Sequence, residues 1–198
     1  KAVDVAGSIS DDFSKAEALK DITVELAKAG QFDKAVNVAG SISDDSKKAW
    51  ALRDIASELA KAGQFDKAVN VIGSIHDNYD KALALSKIAS ELAKAGQTQQ
   101  ALQIFDKALN AAGSISDDSE KALTLKDIAV KLAKAGQFNK ALTVYGSISD
   151  DFYKAWTLSD IALELAKAGQ FDKAVSVAGF IYDNYDKADT LINIASEL

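Results

Sequence analysis

The sequence predicts an all-α chain, an α-solenoid of antiparallel helix pairs with about twelve helices. Three observations carry that reading. The stretch Glu25-Leu-Ala-Lys-Ala-Gly30-Gln-Phe-Asp-Lys-Ala35 recurs almost letter for letter. Its glycine falls at Gly30, Gly63, Gly96, Gly136 and Gly169, at spacings of 33, 33, 40 and 33 residues. Within a period the apolar residues return every three or four positions, which is the stripe of an amphipathic helix. Across periods they fall into columns of one size. Leu19, Leu52, Leu85, Leu125, Leu158 and Leu191 form one, and Ile22, Ile55, Ile88, Ile128, Ile161 and Ile194 form another. A third holds Leu26, Leu59, Leu92, Leu132, Leu165 and Leu198, and a small column runs Ala56, Ala89, Ala129, Ala162 and Ala195 behind Thr23.

The elements follow in order. Lys1 falls inside a second-type helix, so the chain opens on half a repeat. The stretch from Ser43 to Ile75 shows a complete one. Ser43-Asp44-Asp45 supplies a hydroxyl or carboxylate cap before the stripe Ala49, Leu52, Ile55, Ala56 and Leu59. Lys61-Ala62-Gly63 closes that helix, with the glycine free to turn left-handed. A second stripe follows at once, Phe65, Ala68, Val69, Ile72 and Ile75. It stays in phase past Gly73, so this helix is expected to run through that glycine, whose small size would admit a close neighbour. The later repeats read alike, with one exception. Gln97–Asn110 carries seven more residues than its counterparts. Seven residues are nearly two turns, so the stripe keeps its face within about 20° and the second helix is expected to lengthen. The chain ends at Leu198 inside a first-type helix. The whole of 1–198 is therefore expected to be a single helical-repeat array with half-repeats at both ends, a fragment of a longer array.

Composition narrows the function classes. With 48% hydrophobic and 26% charged residues the chain is expected to be soluble, ordered and cytoplasmic. It contains no cysteine, which excludes disulfides, thiol catalysis and thiolate metal sites, and no proline or methionine. No apolar run reaches the ~18 residues of a membrane span. A net charge of −6 opposes a nucleic-acid partner. Asp pairs (Asp11-Asp12, Asp44-Asp45, Asp117-Asp118, Asp150-Asp151) and lysines (Lys28, Lys61, Lys94, Lys134, Lys167) sit where helix N- and C-termini favour each sign. Catalysis has little to use. His76 is the one histidine and reads as a surface or capping residue. The acidic pairs lack the pattern of a calcium loop, and the glycines make no phosphate loop. No cofactor or metal is expected. Phe13, Tyr79, Phe152 and Tyr185 recur in one linker column and read as inter-repeat packing, with a ligand ridge as the alternative.

The unit resembles a tetratricopeptide repeat. Ile55, Ala56, Leu59, Gly63, Phe65, Ala68 and Ile72 fall where that family places its large, small, aromatic, glycine, aromatic, alanine and large residues. The likeness covers the whole chain, although the family's usual period is 34 and its inter-unit proline is missing here. Leu-Ala-Lys-Ala-Gly-Gln-Phe-Asp-Lys-Ala is also similar to pentatricopeptide repeats, which read single-stranded RNA, and the acidic balance opposes that reading. The resemblance implies a right-handed superhelix whose first-type helices line a concave groove that binds protein or peptide. Its groove positions map to Glu17, Trp50, Leu83, Leu123, Trp156 and Asp189, and one turn on to Lys20, Arg53, Ser86, Lys126, Ser159 and Ile192. The family's carboxylate clamp pairs lysines with asparagines, and here Val24, Ser57 and Val130 stand at the asparagine positions.

A non-enzymatic protein- or peptide-binding scaffold is the leading expectation. Trp50, Arg53, Lys20, Leu83, Leu123, Lys126 and Trp156 are the groove candidates. The cations among them suit a peptide with an acidic group, and packing against the next helix is the alternative for the tryptophans. An engineered or consensus-like array with no native ligand, or a self-assembling structural protein, is the second reading. Uncovered apolar stripes at Ala2, Val3 and Val5 and at Leu191, Ile194 and Leu198 predict weak head-to-tail self-association.

Overall fold

The computed structural model describes residues 1–198. It contains twelve α-helices and no strand: α1 (Ala2–Gly7), α2 (Asp12–Lys28), α3 (Phe32–Gly40), α4 (Asp45–Lys61), α5 (Phe65–Gly73), α6 (Asn78–Lys94), α7 (Thr98–Gly113), α8 (Asp118–Lys134), α9 (Phe138–Tyr145), α10 (Asp151–Lys167), α11 (Phe171–Ala178) and α12 (Asn184–Ala195). They fall into two compact units, residues 1–104 and 105–198, with α7 passing from one to the other.

The first-type helices start and stop for local reasons. An aspartate caps each of α2, α4, α6, α8, α10 and α12, with extended backbone at the cap and its carboxylate accepting from an N–H of the first turn. Asp44 accepts from the Lys47 amide at 2.8 Å, for example. Hydrogen bonds from Ser14 hold the Asp11 carboxyl below its ordinary pKa, which is the electrostatic signature of such a cap. The C-terminus of α4 is closed by Gly63, at φ +73°. Its amide donates to the Ala60 carbonyl, and the Gln64 amide donates to the Leu59 carbonyl. This pair of bonds is the Schellman closure, and it recurs at Gly30, Gly96, Gly136 and Gly169. The last-turn lysines complete the end. Lys28, Lys61, Lys94 and Lys167 each pair with a glutamate three residues earlier, at 2.6–3.0 Å.

In the first unit α2, α4 and α6 pack side by side, α3 and α5 fill the grooves between successive first-type helices, and α1 packs on α2. The second unit repeats the scheme with α8, α10 and α12 beside one another and α9 and α11 across them. The columns become the core. Ile55, Leu59, Ile88, Leu92, Ile128, Leu132, Ile161 and Leu165 are all fully buried, with Ala56, Ala89, Ala129 and Ala162 between them. Alternation of bulky and small side chains lets the helices approach to native packing density. No buried side-chain polar atom lacks a partner. The threonines that the second unit buries, Thr124, Thr157 and Thr190, each donate to a carbonyl four residues back.

Three sequence expectations need correction. The short second-type helix ends at Gly73 rather than running through it, with Ser74 as its C-cap. Ile75 stays apolar because it is buried in the linker, at 1% exposure, not because the helix continues. A Cβ added at Gly73 would meet nothing within 4 Å, so no helix approaches there. The Phe13, Phe152 and Tyr185 side chains are exposed and so lie outside the buried inter-repeat core; only Tyr79 is partly covered. Ile194 is buried, because it belongs to the isoleucine column that faces back into the core. The lengthened helix does form: α7 has 16 residues where α3 and α5 have nine. Its buried side Ala101, Ile104, Phe105, Ala108, Ala111 and Ala112 repeats every seven positions.

Candidate peptide-binding surface

Each groove candidate lies on a first-type helix, on the side opposite or flanking the buried columns. In the first unit Trp50 on α4 is 52% exposed, so truncating it would open no cavity in the core. Lys20 reaches across from α2 and places its Nζ 5.8 Å from the Trp50 ring centroid, at the outer limit of a cation–π contact. That ammonium is not free. It is hydrogen-bonded to Glu17 and lies 3.4 Å from Asp21, and the Glu17 bond raises its pKa while lowering that of Glu17. Lys47 lies 3.9 Å from the Phe13 ring centroid and 3.6 Å from Glu17. Arg53 is turned to α6, where its Nη1 donates to the Asp80 carboxylate at 2.9 Å. Burial raises the Asp80 pKa, and the Arg53 charge opposes the rise. Leu83 on α6 is half-buried beside this pair of helices.

The second unit builds a similar arrangement. Trp156 on α10 is 46% exposed, and Lys126 of α8 places its Nζ 5.5 Å from the ring centroid. Lys126 is also 3.4 Å from Asp160. Leu123, on α8, is exposed. Trp156 has a contact that Trp50 lacks: the Phe152 ring lies 4.2 Å away at 45°, and Phe152 in turn meets Tyr153 edge-on at 5.6 Å. Each unit therefore brings one open tryptophan beside a lysine from the preceding first-type helix. Lys20, Arg53 and Lys126 all carry a carboxylate partner, so the cations are smaller attractants for an acidic group than their count in the sequence suggests.

Sequence reasoning passed over the larger concavities. In the second unit a cavity of about 600 Å³ is lined by Tyr145, Phe152, Phe180, Tyr182 and three aspartates among others, and another of about 560 Å³ lies by Gln137, Lys140, Gln170 and Lys173. The first unit has one of about 290 Å³ beside His76, Asp77 and Asp80. Phe180 and Tyr182 could have been found by reading their columns, where the other repeats hold Ser41, Ser74, Ser114 and Ser147, and Ser43, His76, Ser116 and Ser149.

No group of three or more histidine, cysteine or acidic side chains is placed to hold a metal ion, and no helix is long and apolar enough to cross a membrane. No family model and no curated protein matches the chain. Solved structures do. Ton1535 from Thermococcus onnurineus NA1 superposes with a TM-score of 0.52 at 22% identity, over 89% of this chain. This chain spans 57% of the length of that protein. A Podosopora anserina protein, described as a kinesin light chain with nearly identical TPR-like repeats and solved as a single-residue variant, superposes with a TM-score of 0.50 at 12% identity. That match covers 92% of this chain and 99% of the other. The fold is tetratricopeptide-like. Within each unit, helix pairs pack on their neighbours through repeating columns, as in the repeats of an α-solenoid of that kind.

Proposed function

We propose that the protein is a non-enzymatic scaffold that binds protein or peptide segments on its first-type helices, with Trp50 as the anchoring side chain of the first unit and Trp156 as that of the second. The observation that carries this reading is their exposure. A tryptophan left about half open on a well-packed helix face contributes little to folding, while tryptophan is among the residues that dominate binding energy at interfaces. Leu83, Leu123 and the alkyl stems of Lys20, Arg53 and Lys126 extend the apolar ground around them. An extended or helical peptide with an acidic group remains the best-suited ligand class, its charge competing with the resident carboxylates for Lys20 and Lys126.

Selection of a displayed peptide library on the intact chain tests it. Peptides selected on the wild type should lose binding to Trp50→Ala and Trp156→Ala together by about 2 kcal/mol or more, the scale of an interface hot spot. The melting temperature should hardly change. Undiminished binding by the double variant would refute the assignment of the anchors, and a steep fall in stability would show that the indoles are packing residues.

A further inference from the structure

At one place the second unit carries aromatic rings where the equivalent cleft of the first unit has two serines and a histidine. The cavity of about 600 Å³ lies where α9, α10 and the α11–α12 linker meet. The first unit has the equivalent cleft, lined by Asp45, Ser46, Lys48, Ser74, His76, Asp77 and Asp80. In the second unit the corresponding positions hold Asp151, Phe152, Lys154, Phe180, Tyr182, Asp183 and Asp186. Tyr145 joins them, where other repeats hold Ala39, Ile72 and Ala112. Folding does not require Phe180 and Tyr182, because the other repeats form the same linker with serine or histidine there. Nor are the rings used as core: Phe180 is 76% and Tyr182 98% exposed. Their openness is a property of the position, since Ser41, Ser74, Ser114 and Ser147, and Ser43, His76, Ser116 and Ser149, are exposed as well.

The charges around the rings are mostly negative. Asp151 has Lys154 at 3.8 Å, and Asp183 accepts the Tyr185 and Asp186 amides as the cap of α12. Asp186 differs from its counterpart Asp80. There Arg53 supplies a guanidinium, whereas Ser159 stands at the equivalent position and shares a hydrogen bond with Thr190 instead. The cavity thus combines aromatic faces with a carboxylate that has no arginine beside it, unlike Asp80.

We propose that this cavity binds an arginine side chain of a partner peptide, the guanidinium stacked on the aromatic wall and hydrogen-bonded to Asp186. A planar guanidinium satisfies both halves of the lining at once, by stacking on rings and by a forked bond to a carboxylate, which an ammonium cannot do as well. The site goes beyond the tryptophan surface and stands or falls separately from it, although Phe152 touches both.

The probe is the blocked peptide acetyl-Gly-Arg-Gly-amide, titrated into the intact ¹⁵N-labelled chain, with the lysine and glutamate analogues beside it. The arginine peptide is expected to shift the amides of residues 151–154 and 180–186 and to bind about tenfold more tightly than the lysine peptide, while the glutamate peptide leaves those amides still. Phe180→Ser with Tyr182→Ser restores what other repeats carry and should abolish the shifts while helicity is retained. Asp186→Asn leaves the rings in place and should weaken binding about tenfold, so it tests the site even if the double variant folds poorly. The proposal is overturned if the arginine peptide produces no shifts at the cavity, or if the serine variant binds as before. It is equally overturned if the lysine peptide matches the arginine one, or if the same shifts appear at Asp45 and Asp77, which would reduce the effect to general attraction by an acidic protein.

Discussion

At Asp80 a carboxylate has been taken out of water between α4 and α6, and Arg53 is the charge that makes this tolerable. Burial raises its pKa, so its protonated form is the better accommodated one, and ionisation costs stability as pH rises through the folded-state value. Arg53→Gln removes the opposing charge and should raise that value further. The variant's deficit, about 1–2 kcal/mol given the partial exposure of Arg53, should be full at neutral pH. It should close as the pH falls below the ordinary aspartate range, where Asp80 is protonated folded or unfolded. Denaturant melts at neutral and acid pH check this, and a deficit that is flat with pH would show that packing, not charge, was lost. At Gly63 the left-handed φ makes a simpler demand: Gly63→Ala should cost about 1 kcal/mol although its added methyl meets no neighbour. The site was only half legible at this scale. Trp50 and Trp156 stand out by type and column, but nothing in the sequence says that Lys20, Arg53 and Lys126 would turn to Glu17, Asp80 and Asp160. The latter two are ion pairs between successive first-type helices. They depend on side-chain reach across a packed interface, which periodicity does not encode.

Among the helices, what the sequence made plain was whatever recurs. Aspartate caps, glycine closures and leucine and isoleucine columns repeat with the period, so each repeat confirms the others. The misread features are those that periodicity imitates. Ile75 keeps helical phase with Ile72 across Gly73, yet the backbone turns at Ser74 and the side chain reaches the core from the linker. The long helix α7 was readable because its seven extra residues preserve the seam. Ala101, Ile104 and Phe105 are followed seven places later by Ala108, Ala111 and Ala112, all buried. Deleting residues 101–107 should therefore leave a cooperatively folded chain, with Ala108 taking the place of Ala101. Deleting five residues instead swings the following stripe by about 140° and should lower stability by several kcal/mol. Thermal melts by circular dichroism compare the two, and equal melting would end the account of α7 as a phase-preserving extension.

For the whole molecule, the expected self-association now rests on fewer residues. Val5 and Leu198 are open and Leu191 partly so, but Ile194 is covered. Sedimentation of the 198-residue chain should show weak, concentration-dependent association that Val5→Lys with Leu198→Lys removes; a strict monomer at high concentration would refute it. The net charge of −6 works against such contacts, so added salt should strengthen them. The seven-residue step in α7 also has a meaning for descent. A gene for such a protein can gain or lose seven codons inside a second-type helix and keep every downstream column in register, whereas a change of five codons breaks the seam. Length variation among descendants of this chain is thus expected to be quantised, in whole repeats at the glycine turns and in heptads within the helices.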